Sequence, residues 1–229
     1  MNPTTTAVHE VLAVVLQVRE GELRVLLWER ARDPFGGFWA LPGGALGADE
    51  TLEQSIRRHL AAKVDVREVA HLEQLATLSD PRRHPGRRQL ATAYVGLVPR
   101  DTGTRSVPAD TAWHSVERLP ELAFDHRQIV LAGRGRLRAK LSYTNAGFAL
   151  APAEFTLSEL RALYAAALGH EVSTTNLQRV LLRRGLLEET GERRAPGRSG
   201  GRPASVYRFR SRSLEVTDPF AVLRPPQRV

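Results

Sequence analysis

Short apolar runs separated by polar residues recur through the first part of the chain, which is typical of β-strands. Residues 9–30 contain two such apolar stretches on either side of Glu20-Gly21, and these predict two strands joined by a turn. Residues 89–100 predict another strand, and 125–141 predict a helix weakened by two glycines. The first part of the chain is therefore predicted to be rich in β-sheet.

One helix is predicted between these strands, from Thr51 to about Ala62. Thr51 and Gln54 have the spacing of a capping box, in which each residue satisfies a backbone N–H of the other. The apolar residues that recur every four positions in this stretch are Leu52, Ile56 and Leu60.

Two helices and two strands are predicted in the second part of the chain. Residues 155–169 begin with a capping box, Thr156 and Glu159, and carry one apolar stripe made of Leu157, Leu160, Tyr164 and Leu168. Residues 173–185 form the second helix, which ends at a glycine and buries Leu177, Val180 and Leu181.

The two strands, 185–189 and 205–210, are joined by residues 190–203, a basic, glycine-rich stretch that we call the wing. Helix pair, hairpin and basic wing in this order predict a winged helix-turn-helix, with a small structural domain as the alternative.

These patterns predict two domains in the 229 residues. We expect an effector-binding domain over 1–145, a linker over 146–154 with glycine and proline, and a DNA-binding domain over 155–229. No apolar run is long enough to cross a bilayer, cysteine is absent, and the N-terminus does not resemble a signal peptide. A cytoplasmic protein with no membrane partner is therefore expected.

Positive charge is concentrated in the second part of the chain. The whole sequence has a formal charge of +8, and residues 173–212 alone hold ten arginines against three glutamates. Such an excess fits either a solvated surface or a nucleic-acid interface. The winged helix-turn-helix pattern favours the second interpretation.

Residues 44–58 resemble the first half of the Nudix box, G-x5-E-x7-R-E-U-x-E-E-x-G-U, in which U is aliphatic, and residues 59–66 depart from the rest of it. Gly44, Glu50 and Arg58 match the pattern, as do the aliphatic Leu60 and Val66. The remaining three glutamates of the pattern are replaced by His59, Ala62 and Lys63, and its second glycine is replaced by Asp65. The preceding residues 29–44, which end in Leu-Pro-Gly-Gly, also resemble the approach to that box.

This resemblance implies an α/β fold, a Nudix-like α/β/α sandwich with a mixed sheet, followed by a small winged-helix domain. In Nudix hydrolases the missing glutamates jointly hold a divalent metal against a pyrophosphate. We therefore expect no catalytic residue, no metal and no cofactor, but a retained cleft that binds a nucleotide. The candidate ligand contacts are Arg30, Phe38, Trp39, Gly43, Gly44, Arg57, Lys63, Arg87 and Arg88. The alternative for Phe38 and Trp39 is a place in the hydrophobic core.

The second predicted helix and the wing supply side chains suited to DNA. Amide side chains bond adenine edges, arginine bonds guanine, and hydroxyl groups hold phosphates. On the helix the candidates are Thr174, Thr175, Asn176, Gln178, Arg179 and Arg183. In the wing they are Arg193, Arg194, Arg198 and Arg202, which suit phosphates or a narrow minor groove.

Taken over nine tenths of its length, the chain resembles the Nudix-related transcriptional regulators. The segments that share this similarity are 122–129, 155–169, 185–194 and 201–209. The resemblance implies a homodimeric repressor of NAD biosynthesis or salvage genes that binds a palindromic operator and senses ADP-ribose or another NAD-derived nucleotide. Three alternatives stay open: a regulator of pentose utilisation, a nucleotide pyrophosphohydrolase, and a nucleic-acid-binding module whose Nudix part is a scaffold.

Overall fold

The computed structural model describes residues 6–102, 107–195 and 203–218. They divide into two compact units. The first holds most of the chain up to Arg136, and the second holds Leu137 onward together with Val18–Glu22 and Pro99–Thr102. None of the helices in these residues is long and apolar enough to cross a membrane.

The first unit is built on a sheet of seven strands within the described residues, with two helices. In chain order its elements are β1 Val8–Arg19, β2 Glu22–Glu29, β3 Trp39–Ala40, β4 Gly43–Ala45, α1 Leu52–Val64, β5 His71–Leu78, β6 Gln89–Leu97, β7 Thr111–Ser115 and α2 His126–Tyr143. Helix α2 continues into the second unit from Leu137.

The sheet is mixed, as the sequence predicts. Its main path runs β3-β2-β1-β6-β5, with β4 paired to β1 and β7 paired to β2. Strand β1 runs parallel to β6, with Val11 opposite Thr92, whereas β6 runs antiparallel to β5. Because β1 lies between neighbours on both sides, its residues 11–18 are continuously buried.

Alternate residues of β1 contact the two helices, which places α1 and α2 on opposite faces of the sheet. Val11, Ala13 and Val15 share a hydrophobic cluster with Ile56 and Leu60 of α1. The intervening Val14 lies against Gly133 of α2, so closely that a Cβ on this glycine would come within 2.8 Å of the valine side chain. The α/β/α sandwich is therefore confirmed, and Gly133 allows close packing of helix and sheet.

The second unit has the element order of a winged helix. A short 3-10 helix, Ala146–Ala149, precedes the other elements, which are β8 Phe155–Thr156, α3 Leu157–Leu168, α4 Thr174–Arg183, β9 Leu187–Arg194 and β10 Ala204–Phe209. The three strands form one sheet in the order β8-β10-β9. Predicted caps are present: Thr156 and Glu159 form the capping box of α3, and Ser173 caps α4.

Several details differ from the predictions. Strand β9 continues to Arg194, opposite Ala204, so the first residues of the predicted wing are strand rather than loop. Pairing across a hairpin determines this, and a single stretch of sequence does not show it. In α3 the buried stripe includes Leu163 and Ala167, whereas Leu157 and Leu168 are only half-buried.

The segment 146–154, which we expected to be a linker, is mostly buried in its first half. Residues 146–151 are almost inaccessible to solvent, with Phe148 2% exposed, and they belong to the second unit. The backbone N–H of Leu150 closes the 3-10 turn on Gly147. This part of the chain therefore packs as core, and glycine there permits a close contact with Tyr164.

Candidate functional site

Helix α1 of the first unit directs polar side chains at the carbonyl groups of β4. The ammonium of Lys63 donates a hydrogen bond to the carbonyl oxygen of Gly43 over 2.7 Å. The Nε2 of His59 lies 3.0 Å from the carbonyl oxygen of Ala45. The Nudix box has metal-binding glutamates at these two positions. In this chain an ammonium and an imidazole occupy them and contact strand β4 instead.

Lys63 is a half-buried cation. Its Nζ also lies 4.7 Å from the centre of the Trp28 ring, a distance at which a cation is attracted to the face of the indole. Burial lowers the pKa of Lys63, the nearby charge of Arg30 lowers it further, and the carboxylate of Glu10 acts in the opposite direction. Helix α1 thus carries an ammonium group that is held between strand β4 and the Trp28 ring.

The His59 ring packs against strand β4 at Gly44. Burial lowers the pKa of its imidazole, and the contact with the Ala45 carbonyl group acts in the opposite direction. A Cβ on Gly44 would lie 2.5 Å from a ring carbon of His59. The matched glycine of the Nudix pattern is therefore required here by the histidine that packs under it.

Glu50 and Arg58, the two charged residues that match the Nudix pattern, bind each other. The guanidinium donates two hydrogen bonds to the carboxylate, at 2.8 and 2.5 Å, and the backbone N–H of Gly47 donates a third. These hydrogen bonds, with that from Arg58 the largest contribution, lower the pKa of Glu50 to about 2. Within the part of the chain that the structure describes, no group of three or more His, Asp or Glu side chains could hold a metal ion.

Asp65 retains the backbone conformation that the pattern's glycine provides. It ends α1 with a φ of 51°, in the left-handed region, and its N–H closes on the carbonyl oxygen of Leu60. Aspartate tolerates this region better than most residues other than glycine. The turn after the helix is therefore kept although its glycine is lost.

A buried ion-pair network lies at the same end of the sheet. The side chain of Arg83, only 2% exposed, donates two hydrogen bonds to Asp125 at 3.0 and 2.9 Å and one to Glu10 at 2.8 Å. It connects the loop between β5 and β6 to strand β1 and to the start of α2. Two half-buried carboxylates on either side of one buried guanidinium hold this loop in place.

Aromatic rings line the neighbouring surface. Phe124 stacks on the His84 ring at 5.2 Å, meets Phe35 edge to face at 4.8 Å, and lies under the guanidinium of Arg30. Phe35 and Phe124 have φ values of 68° and 54°, which are strained for bulky side chains and are often found at functional sites. Phe38 and Phe124 also line an open cleft of about 460 Å³, together with Asp125, Gln128 and other residues.

The structure brings some predicted ligand contacts together and leaves others apart. Arg30 and Lys63 act on each other electrostatically, and Phe38 contacts Phe35 of the aromatic group. Trp39 packs instead on the ring of His114 at 4.2 Å. Three of the arginines bind within their own segments: Arg57 pairs with Glu53, Arg87 with Gln89, and Arg88 with the carbonyl oxygen of Ser79.

Several residues of this region had no sequence pattern to mark them. Arg83 and Asp125 are 42 positions apart, and only the fold joins them. The strained Phe35 and Phe124 lie in irregular segments. Glu10 alone carried a recognisable mark, a charge at the entrance of an otherwise apolar strand.

In the second unit, α4 has one buried and one exposed face. Leu177 and Leu181 are buried, Val180 is half-buried, and the predicted DNA contacts Thr175, Asn176, Arg179 and Arg183 are exposed. Thr174 and Gln178 are half-exposed. The Arg179 guanidinium donates to Asn176 Oδ1 at 2.9 Å, so these two side chains form a pair on the exposed face.

The arginines at the end of β9 differ from each other. Arg194 donates to both oxygens of Glu159, at 2.8 and 2.6 Å, and thereby fastens the end of the strand to the capping box of α3. Arg193 is exposed. The predicted contacts Arg198 and Arg202 lie outside the described residues.

Comparison with known families and proteins agrees with this division. The NUDIX domain pattern matches residues 8–132, and the pattern of the NrtR DNA-binding winged helix domain matches 147–209. The chain is 30% identical to the ADPR responsive transcriptional repressor NtrR of Acinetobacter baylyi, across 90% of this chain and 83% of that protein. It is 27% identical to an ADP-ribose pyrophosphatase of Methanocaldococcus jannaschii, across 48% of this chain and 66% of that enzyme.

Solved structures give the same result. Shewanella oneidensis NrtR, crystallised with a 27mer DNA, superposes with a TM-score of 0.74 and 32% identity, covering 88% of this chain and 93% of that one. The NUDIX domain of the same NrtR, crystallised with ADP ribose, superposes with a TM-score of 0.52 and 34% identity, covering 58% of this chain and 90% of the other.

Proposed function

The chain belongs to the NrtR family of Nudix-related transcriptional regulators, and from this premise we propose that it is a DNA-binding repressor controlled by ADP-ribose or a related NAD-derived nucleotide. The genes that we propose it controls are those of NAD biosynthesis or salvage. The observation that carries the proposal is the conversion of the Nudix helix: Lys63 and His59 bind the β4 carbonyls where the pattern places metal-binding glutamates.

A fixed ammonium suits binding of a diphosphate better than its hydrolysis. Nudix chemistry needs several carboxylates to hold a divalent metal, and hard cations require convergent oxygen ligands. Position 62 is alanine, position 63 is a cation, and Glu50 is already bound to Arg58. We infer that the first unit does not hydrolyse nucleotides, in contrast to the pyrophosphatase that it partly matches.

The proposed effector site combines Lys63 and Arg30 with the aromatic group around Phe38. The two cations supply charge for a diphosphate, and guanidinium matches phosphate oxygens in shape. Phe38 and Phe124 offer apolar surface to a base or ribose. Gly43 and Gly44 belong to strand β4, and the carbonyl group of Gly43 binds the ammonium. Trp39, Arg57, Arg87 and Arg88 stay proposed contacts whose side chains must leave their present partners to bind.

For DNA, we propose that α4 enters the major groove and that the hairpin beside it grips the backbone. The exposed face of α4 carries an arginine, an asparagine and a threonine, which can bond base edges. Shewanella oneidensis NrtR was crystallised with a 27mer DNA, and the pattern of the NrtR DNA-binding winged helix domain matches residues 147–209 of this chain. A homodimer reading a palindrome completes the proposal.

The test measures DNA affinity with and without effector. A duplex enriched from a random pool by the full-length protein is labelled, and its affinity is followed by fluorescence anisotropy while ADP-ribose is raised to millimolar concentration. We expect the affinity to change, whereas the cleavage products AMP and ribose 5-phosphate leave it unchanged. Constant affinity, with ADP-ribose binding demonstrated separately by calorimetry, would overturn the sensing role.

Two further measurements separate the alternatives. Incubation of the protein with ADP-ribose and Mg²⁺ or Mn²⁺ should release no AMP above background, and release at ordinary enzyme rates would favour the hydrolase. A panel of pentose phosphates tested in the same anisotropy assay addresses the other alternative. Control by a pentose phosphate and not by ADP-ribose would make the protein a regulator of pentose use.

A further inference from the structure

Helix α4 exposes a leucine that the proposed DNA contacts leave without a role. Within the described residues two large apolar side chains are exposed, Leu182 at 42% and Leu131 at 38%. Leu131 lies on α2, whereas Leu182 lies in the last turn of α4. An isolated surface leucine is common, so its position on the helix decides whether it has a function.

Leu182 lies on the same face of α4 as the polar DNA candidates. At about 100° per residue, it is rotated about 20° from Thr175 and about 60° from Arg179. The buried Leu181 and Leu177 lie about 100° and 140° away from it, toward the core of the unit. A side chain in this position points away from the core, next to Thr175, with Arg179 beyond the threonine.

We propose that Leu182 recognises the C5-methyl group of a thymine in the major groove of the operator. This inference rests on the proposed function, because it requires α4 to read DNA. Along α4 the distance from Thr175 to Leu182 is about 10 Å, within the span of a few base pairs. Arginines 179 and 183 beside the leucine supply the attraction to DNA that an exposed apolar residue lacks.

The chemistry of the groove selects this partner. An aliphatic side chain gains nothing from phosphate oxygens or from the donors and acceptors of base edges. The methyl group of thymine is the apolar group that a base pair presents in the major groove, and apolar side chains are its usual contacts. Leu182 therefore specifies thymine, and it acts beside the hydrogen bonds of Arg179 and Gln178.

Deoxyuridine tests the contact because it differs from thymidine by that methyl group alone. A duplex enriched from a random pool by the full-length protein is resynthesised with deoxyuridine at one thymine position at a time, symmetrically in both half-sites. We expect one position at which the protein binds about fourfold more weakly per half-site, the factor that corresponds to burying one methyl-sized group. Other positions should bind as before.

Variants of the protein then test whether Leu182 is the side chain that contacts the methyl group. Leu182→Ala should weaken binding to the thymine duplex by a similar factor and should be indifferent to deoxyuridine at the sensitive position, because the partner of the methyl group is gone. Leu131→Ala, which removes the other exposed leucine, is the matched control and should keep the sensitivity of the native protein.

Two results would overturn the inference while the repressor proposal survives: no deoxyuridine position weakens binding, or Leu182→Ala remains as sensitive as the native protein. The second result would assign the methyl contact to another side chain such as Thr175. A random pool from which no sequence is enriched would overturn the inference together with the DNA-binding function.

Discussion

Position 63 on α1 carries an ammonium group where the Nudix pattern has a carboxylate. The group has a protein partner in Gly43 and an aromatic neighbour in Trp28, so it is held in place before any ligand arrives. A preorganised cation loses little conformational freedom when it binds a phosphate. It gives the proposed effector site a positive charge that does not depend on a bound metal.

Lys63→Met should therefore weaken ADP-ribose binding about 10- to 100-fold, the range for loss of one hydrogen bond to a charged group. Methionine keeps most of the aliphatic stem packed on Trp28, so folding is preserved. Isothermal titration calorimetry in the presence of EDTA measures the affinity. Lys140→Met is the control, since the chain has two lysines and this one lies on α2. Equal affinity in native protein and Lys63→Met would remove the lysine from the site.

His126 makes stability depend on pH. It is fully buried at the start of α2, its Nδ1 accepts a hydrogen bond from the Leu41 N–H, and burial lowers its pKa from 6.5 to about 3. The unfolded chain therefore binds a proton below about pH 6.5 that the folded chain excludes. The contribution of His126 to the free energy of unfolding is fully present above about pH 6.5. It falls as the pH drops toward 3, by at most about 1.4 kcal/mol per pH unit.

His126→Asn should reduce this dependence, because an amide oxygen can accept the Leu41 N–H without titrating. Urea unfolding between about pH 7 and pH 5 measures the slope. Burial also lowers the pKa of His59 and His114, which remain in both proteins. A residual slope is thus expected, and an unchanged slope in the variant would contradict the assignment.

At the scale of elements, Arg83 joins a loop, a strand and a helix through one guanidinium. Removing it leaves Glu10 and Asp125, each 17% exposed, without their partner. Loss of one member of a buried ion pair typically costs about 3–5 kcal/mol because the remaining charge stays desolvated. Arg83→Ala should lower the free energy of unfolding by about this amount in urea titration.

The adjacent Arg82 provides the control for this loop. Its side chain is 93% exposed and 3.9 Å from Asp80. Arg82→Ala should change the free energy of unfolding by less than about 0.5 kcal/mol, as exposed substitutions usually do. Equal losses in the two variants would mean that charge, rather than the buried network, accounts for the effect.

The elements of the DNA-binding unit should divide the work between bases and phosphates. Arg179→Ala or Gln178→Ala on α4 should relax the choice of base at about 1–3 kcal/mol for a good contact. Arg193→Ala on β9 should weaken binding to all DNA sequences alike. It should also reduce the slope of log affinity against log salt concentration by about one. Anisotropy against single-base variants at several salt concentrations measures both quantities. Uniform weakening by the α4 variants would contradict the division.

Arg194 is expected to behave differently from its neighbour. Both guanidinium contacts go to Glu159, so its replacement changes the attachment of β9 to α3 before it changes any phosphate contact. Sequence alone placed the two arginines together, because adjacent arginines in a basic stretch look equivalent. Only the hairpin register, with Arg194 opposite Ala204, distinguishes them.

The elements that sequence predicted well are those that local chemistry determines. Helices α1, α3 and α4 have side-chain caps that the sequence displays at the correct spacing, and their bounds agree within a few residues. Strand β5 lies at a sheet edge with mixed burial and had no clear alternation to reveal it. The two- and three-residue strands β3 and β4 exist because neighbours pair with them, which no local pattern encodes.

The candidate site was predictable in its chemistry but not in its assembly. Replacement of the Nudix glutamates at positions 59, 62 and 63 predicts a cleft without a metal site, and this stays a prediction. The bond from Lys63 to Gly43 and the Glu10–Arg83–Asp125 network depend on which strands are neighbours, and this is a property of the tertiary fold. Contacts between distant residues are the part of a site that a single sequence conceals.

At the scale of the whole molecule, one chain supplies a single recognition helix. One α4 covers only a few base pairs, which is too short a site to be selective among the many competing sequences of a genome. Pairing of two chains about a two-fold axis doubles the site and requires the operator to be a palindrome. The proposed homodimer is thus the arrangement in which a chain with one winged helix gains specificity.

Half-site spacing tests this arrangement directly. Two recognition helices related by a two-fold axis should lie about one or two helical turns of DNA apart, about 10 or 21 base pairs between half-site centres. Inserting about five base pairs between the half-sites of the selected duplex turns one of them to the opposite side of the DNA. Binding should then fall toward the affinity of a single half-site, while light scattering shows two chains per intact duplex. If the insertion left the affinity unchanged and one chain bound each duplex, the protein would read DNA as a monomer, and the palindrome would not be part of its recognition.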